Sequence, residues 1–292
     1  MKMDIIRVSR LSSLRFPSES NENTKSSYFF QVKKFNRWNK GESISPDRIH
    51  HYLKFLKENG TRSSSIRAAK SALKKAILTS LPVESNNIAF ITMLDKAFRE
   101  MKVDKTKYGL KESAVLTRKE VQHLCKNTPK KLSLMIKALC NSGFRVSELI
   151  NIRIKDCTIT DNKLSVTIIR KRGKEVTIPE AFPVALYWRI VKTFHGESPE
   201  KHLYLFRNSR SSRGSYSRQY LWQEIKKYSE RVLGKPTSVH GCRHFHATSL
   251  LLSGAKIPEI SRRLSHEKMS TTAEYYLHSK MKPETLHKSF IH

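Results

Sequence analysis

Residues 240–251 read HGCRHFHATSLL, a stretch that crowds cationic and titratable side chains around the predicted start of a helix near residue 243. His240, Arg243 and His244 lie within five positions of one another. The exposed N–H groups of a helix start favour anions, so this stretch alone is typical of a phosphate site. Zinc is the weaker interpretation, because the two histidines have no third ligand that the sequence identifies nearby.

The whole chain carries a large positive charge. Its 292 residues include 56 Lys and Arg against 25 Asp and Glu, a formal net charge of +31. Residues 1–108 contribute +12 (22 basic, 10 acidic) and the remainder +19. The excess positive side chains repel one another unless a bound polyanion neutralises them, and nucleic acid is the commonest polyanion. We therefore expect both halves to face one polyanion; the alternatives are an anionic membrane surface and a merely basic soluble protein.

Composition and cysteine spacing exclude several classes of protein. A hydrophobic content of 38% suits a folded globular protein rather than a disordered one. No stretch approaches the ~20 apolar residues of a membrane-spanning helix, and the first residues lack a signal-peptide core. The four cysteines are far apart and form no C-x-x-C pair, which argues against a zinc site and a disulfide scaffold: Cys125, Cys140, Cys157 and Cys242. The sequence thus predicts a cytoplasmic protein without a membrane partner.

The N-terminal part reads as a flexible arm followed by a small helical domain. Residues 1–23 are polar and Ser-rich, and apolar residues recur at helical spacing over 24–103. The third of four predicted helices follows Ser63 and carries on its outer face the candidate DNA contacts Arg67, Lys70, Lys74 and Lys75. Phosphate contact alone would explain those charges. Residues 104–115 are polar and basic, which predicts a linker.

The pattern of apolar residues over 116–292 predicts a mixed α/β domain. Thr117-x-x-Glu120 is a capping box that opens a helix, and a second helix is expected near 131–141. Apolar residues alternate over 164–168 and 176–178, which predicts two strands joined at Arg172-Gly173. Further helices are expected near 181–194, 216–233, 243–253, 257–265 and 270–277. The predicted fold class is mainly α with a small β-sheet.

Four motifs in order resemble those of the tyrosine recombinase (phage integrase) family. GFRVSEL at 143–149 resembles G-L-R-x-S-E-L, and the 240–251 stretch resembles H-x-L-R-H-x-x-A-T-x-L-L. LSHEKMSTTAEY at 264–275 resembles L-G-H-x-x-x-S-T-T-x-x-Y, and IIRKRGKE at 168–175 resembles the G-K-G-x-K-x-R hairpin. The N-terminal helices resemble the family's core-binding domain by pattern only, and the mixed domain its catalytic domain.

The resemblance implies a catalytic set with defined roles: Arg145, Lys171, His240, Arg243, His266 and Tyr275, the nucleophile. Glu148 is expected to orient Arg145 or His240, the alternative being a surface salt bridge. Cys242 and Ser265 replace the family's Leu and Gly, while Arg170, Arg172 and Val176 replace two glycines and a basic residue in the hairpin. Because of these departures, Lys174 remains the alternative to Lys171 as the catalytic lysine. Lys174 is also a candidate DNA contact. Tyr276 rivals Tyr275, because Tyr276-x-His278 mimics the family's Y-x-H ending.

These residue types permit phosphoryl transfer through a covalent intermediate. A tyrosine hydroxyl, with a reference pKa of about 10, needs a polarised phosphate and an acceptor for its proton. Arg145 and Arg243 would clamp the non-bridging oxygens, with His266 donating a third bond. His240 would accept the proton or support the clamp, and Lys171 would protonate the leaving 5′ oxygen. Because Arg, Lys and His supply the charge neutralisation, neither metal nor other cofactor is expected.

The resemblance also implies the reaction and its partners. These are a 3′-phosphotyrosyl intermediate, a Holliday junction, a homotetramer on two duplexes that carry a specific site, and possible accessory factors. A nucleoid-associated location follows, and the tail at 283–292 is expected to dock on a neighbouring protomer or to pack on its own domain. The alternatives are a type IB topoisomerase or telomere resolvase, which use the same chemistry, and a catalytically idle DNA-binding relative.

The charge predicts that duplex binding weakens steeply with salt, because each phosphate contact releases counterions. For about six contacts the association constant should fall roughly a thousandfold between 50 and 200 mM salt. Fluorescence anisotropy of a labelled duplex, titrated at several salt concentrations, measures this slope. An affinity nearly independent of salt would contradict the prediction.

Overall fold

The computed structural model describes residues 22–80, 88–100, 116–170, 173–197 and 199–264. The chain divides into two compact units, Met1–Lys107 and Tyr108–His292. The division falls within 104–115, the predicted linker, which lies outside the described residues, as do residues 1–21 of the predicted arm. Each unit has its own apolar core.

The N-terminal unit consists, in its described part, of α1 (Glu22–Asn39), α2 (Pro46–Glu58), α3 (Ser63–Ser80) and α4 (Ile88–Glu100). Ser45 caps α2, because its Oγ accepts a hydrogen bond from the Arg48 backbone N–H at 3.1 Å, and Pro46 occupies the first helical position. The apolar stripes of the four helices meet in a core that includes Phe35, Tyr52, Leu73 and Leu94. The helix α1 begins two residues inside the predicted arm.

The C-terminal unit contains helices around one small sheet, which confirms the predicted fold class. Its described elements are α5 (Arg118–Lys126), α6 (Lys130–Ser142), α7 (Val146–Leu149), β1 (Cys157–Thr160), β2 (Lys163–Ile169), β3 (Glu175–Ile178), α8 (Val184–His195), α9 (Arg218–Leu233), α10 (Val239–Leu252) and α11 (Ile257–Leu264). The predicted helix at 270–277 lies outside the described residues.

The strands form an antiparallel sheet in the order β1-β2-β3. Ile159 pairs with Leu164, and Val166 pairs with Ile178. The inward side chains of β2 are buried, which is why its alternation was visible in the sequence. Strand β1 was not predicted; it has only four residues, Cys157–Thr160, and their side chains are half-buried or exposed rather than alternately buried.

The predicted start of α10 near residue 243 is wrong. Ser238 has an extended backbone, and its Oγ accepts a hydrogen bond from the Gly241 N–H at 3.3 Å, so the helix begins at Val239. His240 and Arg243 consequently lie three residues apart within one helix and share a face. No helix within the described ranges has the length and apolar character to cross a membrane. All four cysteines are free thiols.

Gly143 ends α6 where that helix meets α10 and α11. Its φ is +65°, in the left-handed region that favours glycine. A Cβ at this position would lie 2.5 Å from His246 Cδ2 and 2.9 Å from Leu264 Cδ2. Glycine therefore permits both the turn and the close approach of the three helices.

Gly143→Ala should destabilise the fold more than Gly234→Ala. Gly234 also ends a helix, with φ of +66°, but a Cβ there would meet nothing within 4 Å. Alanine should cost about 1–2 kcal/mol at either position for the left-handed backbone. At Gly143 overpacking should add about 1–3 kcal/mol. Urea unfolding of the full chain measures the free energy of unfolding of both variants. Equal losses of stability would show that the helices around Gly143 move apart to accept the Cβ without an added energetic cost.

Candidate active site

The turn after α6 presents Arg145 beside a buried carboxylate. Glu148 is 4% exposed; its Oε2 accepts from the Arg145 backbone N–H at 2.8 Å and its Oε1 from Arg145 Nη1 at 2.8 Å. The Arg145 side chain remains 40% exposed. Glu148 therefore holds the guanidinium from the protein side by a charge-assisted hydrogen bond, while part of the Arg145 side chain is exposed to solvent. The ion pair with Arg145 involves a buried carboxylate rather than a surface one, and the orienting role of Glu148 stays a prediction.

A second guanidinium approaches the same carboxylate from the end of β2. Arg170 Nε lies 3.8 Å from Glu148 Oε1, and the Arg170 side chain is only 8% exposed. Its Nη2 donates to the Arg263 carbonyl at 3.3 Å. Burial lowers the pKa of Arg170; Glu148 opposes that shift and Arg145 adds to it. The sequence indicated Arg170 only as a departure from a family glycine, and that departure was the available signal.

Arg243 reaches from α10 to the ends of two other helices. Its Nη1 donates to the Gly143 carbonyl at 2.8 Å, and its Nη2 donates to the Leu264 carbonyl. The residue is 6% exposed. One side chain thereby joins the turn that carries Arg145 to the end of α11, beyond which the chain continues toward residues 265–275.

His240 lies on α10 at the surface, close to both arginines. Its pKa is lowered from the ordinary value, first by partial desolvation and then by the positive charges of Arg243 and Arg145. His240 lies one helical turn from Arg243 on α10, and Arg243 is bonded to the turn that carries Arg145, so the three residues lie in one region of the domain. The shift favours the neutral ring near pH 7, the form that can accept a proton.

The described part of the chain thus brings together Arg145, Glu148, His240 and Arg243 from the predicted set. Lys171, His266, Tyr275 and the rival Tyr276 lie outside the described residues. Lys174 is exposed in the turn between β2 and β3, and its carbonyl accepts from the Arg170 N–H at 2.8 Å. No group of three or more metal-ligating His, Cys, Asp or Glu side chains occurs within the described ranges.

The basic residues of α3 are less open than predicted. All four, Arg67, Lys70, Lys74 and Lys75, are half-buried. Lys74 Nζ lies 2.6 Å from Asp95 Oδ1 on α4, and burial lowers the pKa of Lys70. The description of this face as an outer one is therefore only partly right, since neighbouring side chains cover much of each stem. Their contact with DNA stays a prediction.

A basic loop beside α7 was missed. Residues 207–218 read RNSRSSRGSYSR, with four arginines that the sequence showed but the motifs did not include. Arg213 Nη2 donates to Asn151 Oδ1, and Ser215 Oγ donates to the Ile150 carbonyl at 2.6 Å. These two bonds attach the loop to the end of the turn that carries Arg145.

Residues 114–282 match the model of the phage integrase family, over half of the chain. The chain belongs to the phage integrase family. A tyrosine recombinase XerA of Pyrococcus horikoshii is 31% identical over 252 residues, covering 80% of this chain and 84% of the relative. A tyrosine recombinase XerD of Staphylococcus saprophyticus is 26% identical over 298 residues, 99% of each chain. The protein is thus a tyrosine-type site-specific DNA recombinase, and the topoisomerase, telomere resolvase and idle-relative alternatives are not favoured.

Solved structures share the fold of this recombinase. A lambda integrase tetramer bound to a Holliday junction aligns with a TM-score of 0.67 at 16% identity, covering 90% of this chain and 74% of that one. The Tn1549 transposon integrase in complex with transposon right end DNA aligns with a TM-score of 0.65 at 18% identity, covering 89% and 90%.

His246 on α10 is buried and contacts α6 of the recombinase. Its Nδ1 lies 3.2 Å from the Cys140 carbonyl, which can only accept, so this nitrogen carries the proton. Burial, the larger cause, and the nearby arginines lower its pKa to about 3. The motif leaves this position unspecified, so sequence reasoning did not single it out.

The low pKa of His246 predicts acid sensitivity of the fold. Between about pH 6.5 and pH 3, His246 is protonated in the unfolded chain but remains neutral in the folded chain. The free energy of unfolding therefore decreases as pH falls through this range. The slope from this group is at most about 1.4 kcal/mol per pH unit. His246→Asn keeps a donor but does not titrate, so its free energy of unfolding should decline less between pH 6.5 and 4. Parallel urea-derived curves for the two proteins would contradict this.

Proposed function

We propose that Arg145 and Arg243 bind the two non-bridging oxygens of the scissile phosphodiester. The observation that carries this proposal is the bond from Arg243 Nη1 to the carbonyl of Gly143, two residues before Arg145, which brings the two arginines to one turn. Glu148 anchors Arg145, and two backbone carbonyls anchor Arg243. Donors fixed before the substrate arrives need little reorganisation as charge develops, so they stabilise the transition state by several kcal/mol.

We infer that Tyr275 attacks the phosphorus while the bond to the 5′ oxygen breaks. The tyrosine proton passes to His240, whose lowered pKa keeps the ring neutral near pH 7 and so able to accept a proton. Lys171 gives a proton to the leaving 5′ oxygen, with Lys174 as the alternative, and His266 donates a further hydrogen bond to the phosphate. The product is a 3′-phosphotyrosyl DNA and a free 5′-hydroxyl, and rejoining reverses these transfers.

We propose further that the protein acts as a homotetramer on two duplexes, each with a specific site, through a Holliday junction. The lambda integrase tetramer bound to a Holliday junction supports this by analogy of fold. In this proposal residues 24–103 form the core-binding domain, 104–115 the linker and 116–292 the catalytic domain. Residues 283–292 dock on a neighbouring protomer. The α3 cations and Lys174 contact phosphates, accessory factors set the direction of exchange, and the protein works at the nucleoid.

Tyr275→Phe should abolish the covalent adduct, because phenylalanine has no hydroxyl to attack phosphorus. The matched control is Tyr276→Phe, which removes the neighbouring hydroxyl and should keep the adduct. The assay is a duplex nicked near the cleavage point, which traps the protein covalently on denaturing gels. An adduct that survives Tyr275→Phe but disappears with Tyr276→Phe would move the nucleophile by one residue.

A further inference from the structure

Arg170, the residue that follows β2, links three parts of the site. Its side chain pairs with Glu148 on α7, at 3.8 Å, and donates to the Arg263 carbonyl on α11, at 3.3 Å. Its backbone closes the hairpin, since its N–H donates to the Lys174 carbonyl at 2.8 Å and its carbonyl accepts from the Gly173 N–H at 3.1 Å. The next residue in the chain is Lys171.

The end of α11 receives guanidiniums at two consecutive carbonyls. Arg170 donates to the carbonyl of Arg263, and Arg243 donates to that of Leu264. Arg263 in turn donates from Nη1 to the Pro179 carbonyl at 2.5 Å and from Nη2 to the Glu180 carbonyl at 2.8 Å, just beyond β3. Arg263 of α11 is therefore bonded to the hairpin at two places, after the end of β2 and after the end of β3.

The burial of Arg170 needs an explanation. A guanidinium is costly to remove from water, and a hairpin tip normally leaves such a side chain in solvent. Here the side chain is 8% exposed and shares the Glu148 carboxylate with Arg145. Two guanidiniums around one carboxylate leave a net positive charge where the proposed function places a phosphate.

We propose that Arg170 is a positioning residue for the leaving-group step. Through Glu148, its common partner with Arg145, it holds the strand end that leads into Lys171 at a fixed place relative to the phosphate-binding arginine. The proposal rests on the proposed function, in which Lys171 transfers a proton to the 5′ oxygen as that oxygen separates from phosphorus. Loss of Arg170 should then impair protonation of the leaving group more than DNA binding or phosphate binding.

Two nicked duplexes that differ in one atom test this. One carries the natural oxygen at the bridging 5′ position, and the other carries sulfur. Sulfur leaves as a thiolate, whose conjugate thiol has a pKa of about 8.5, so it needs no proton donor. A variant that has lost only leaving-group protonation should fail on the oxygen substrate and recover on the sulfur substrate.

Arg170→Met removes the charge and keeps an unbranched apolar stem similar to the aliphatic part of arginine. Its single-turnover cleavage of the oxygen substrate should fall on the order of a hundredfold, the range of general acid catalysis. Its cleavage of the sulfur substrate and its Kd for DNA should each change less than about threefold. Lys171→Ala should show the same pattern, whereas Arg145→Lys, the matched control on the other side of Glu148, should lose both substrates. If Arg170→Met does not fold, Arg170→Lys is judged by the same ratio.

Equal losses on both substrates, or no loss on either, would overturn the role of Arg170. If Lys171→Ala shows no recovery on sulfur while Arg170→Met does, the assignment of Lys171 fails and the role of Arg170 stands. If Lys174→Ala then recovers cleavage on the sulfur substrate, Lys174 is the residue of the hairpin that donates the proton to the leaving oxygen. The two proposals can therefore fail separately.

Discussion

The buried carboxylate of Glu148 is the group on which the described site depends. It accepts hydrogen bonds from the backbone N–H and from the guanidinium of Arg145, and it lies beside the guanidinium of Arg170. Breaking such a buried arrangement by removing one partner commonly costs about 3–5 kcal/mol, because the remaining charges lose their compensation. The carboxylate also restricts the rotamers of Arg145, so a bound phosphate would lose less entropy in ordering that side chain.

Arg243 is held by a different kind of partner. Backbone carbonyls carry only partial charges, so the bonds to Gly143 and Leu264 orient the guanidinium without neutralising it. The bond to Gly143 also supplies a donor at the end of α6, where helical carbonyls lack intrahelical partners. One residue thus joins the end of α6 to α11, and the absence of a side chain at Gly143 allows the helices to approach.

The two kinds of anchoring give the cluster a net positive charge suited to a phosphodiester. The pKa of His240 is lowered first by partial burial and then by the positive charges of Arg243 and Arg145. In the proposed function this arrangement combines anion binding by the two arginines with a neutral base at His240. In the proposed reaction the protein needs these two properties simultaneously, because the tyrosine must lose its proton while the phosphate gains charge.

The sequence determined the residue types, their order and most of the helices, because helical periodicity and short motifs are local properties of the chain. It did not reveal β1, whose side chains are not buried, and it placed the start of α10 too late because the Ser238 cap was overlooked. Only the tertiary structure decided which charges meet. Arg170 shares a carboxylate with Arg145 although 25 positions separate them (170 minus 145), and Arg243 reaches a carbonyl 100 residues away. Ion pairs and hydrogen bonds depend on distance in space, which the packing of α6, α10, α11 and the hairpin sets and the spacing of residues along the chain does not.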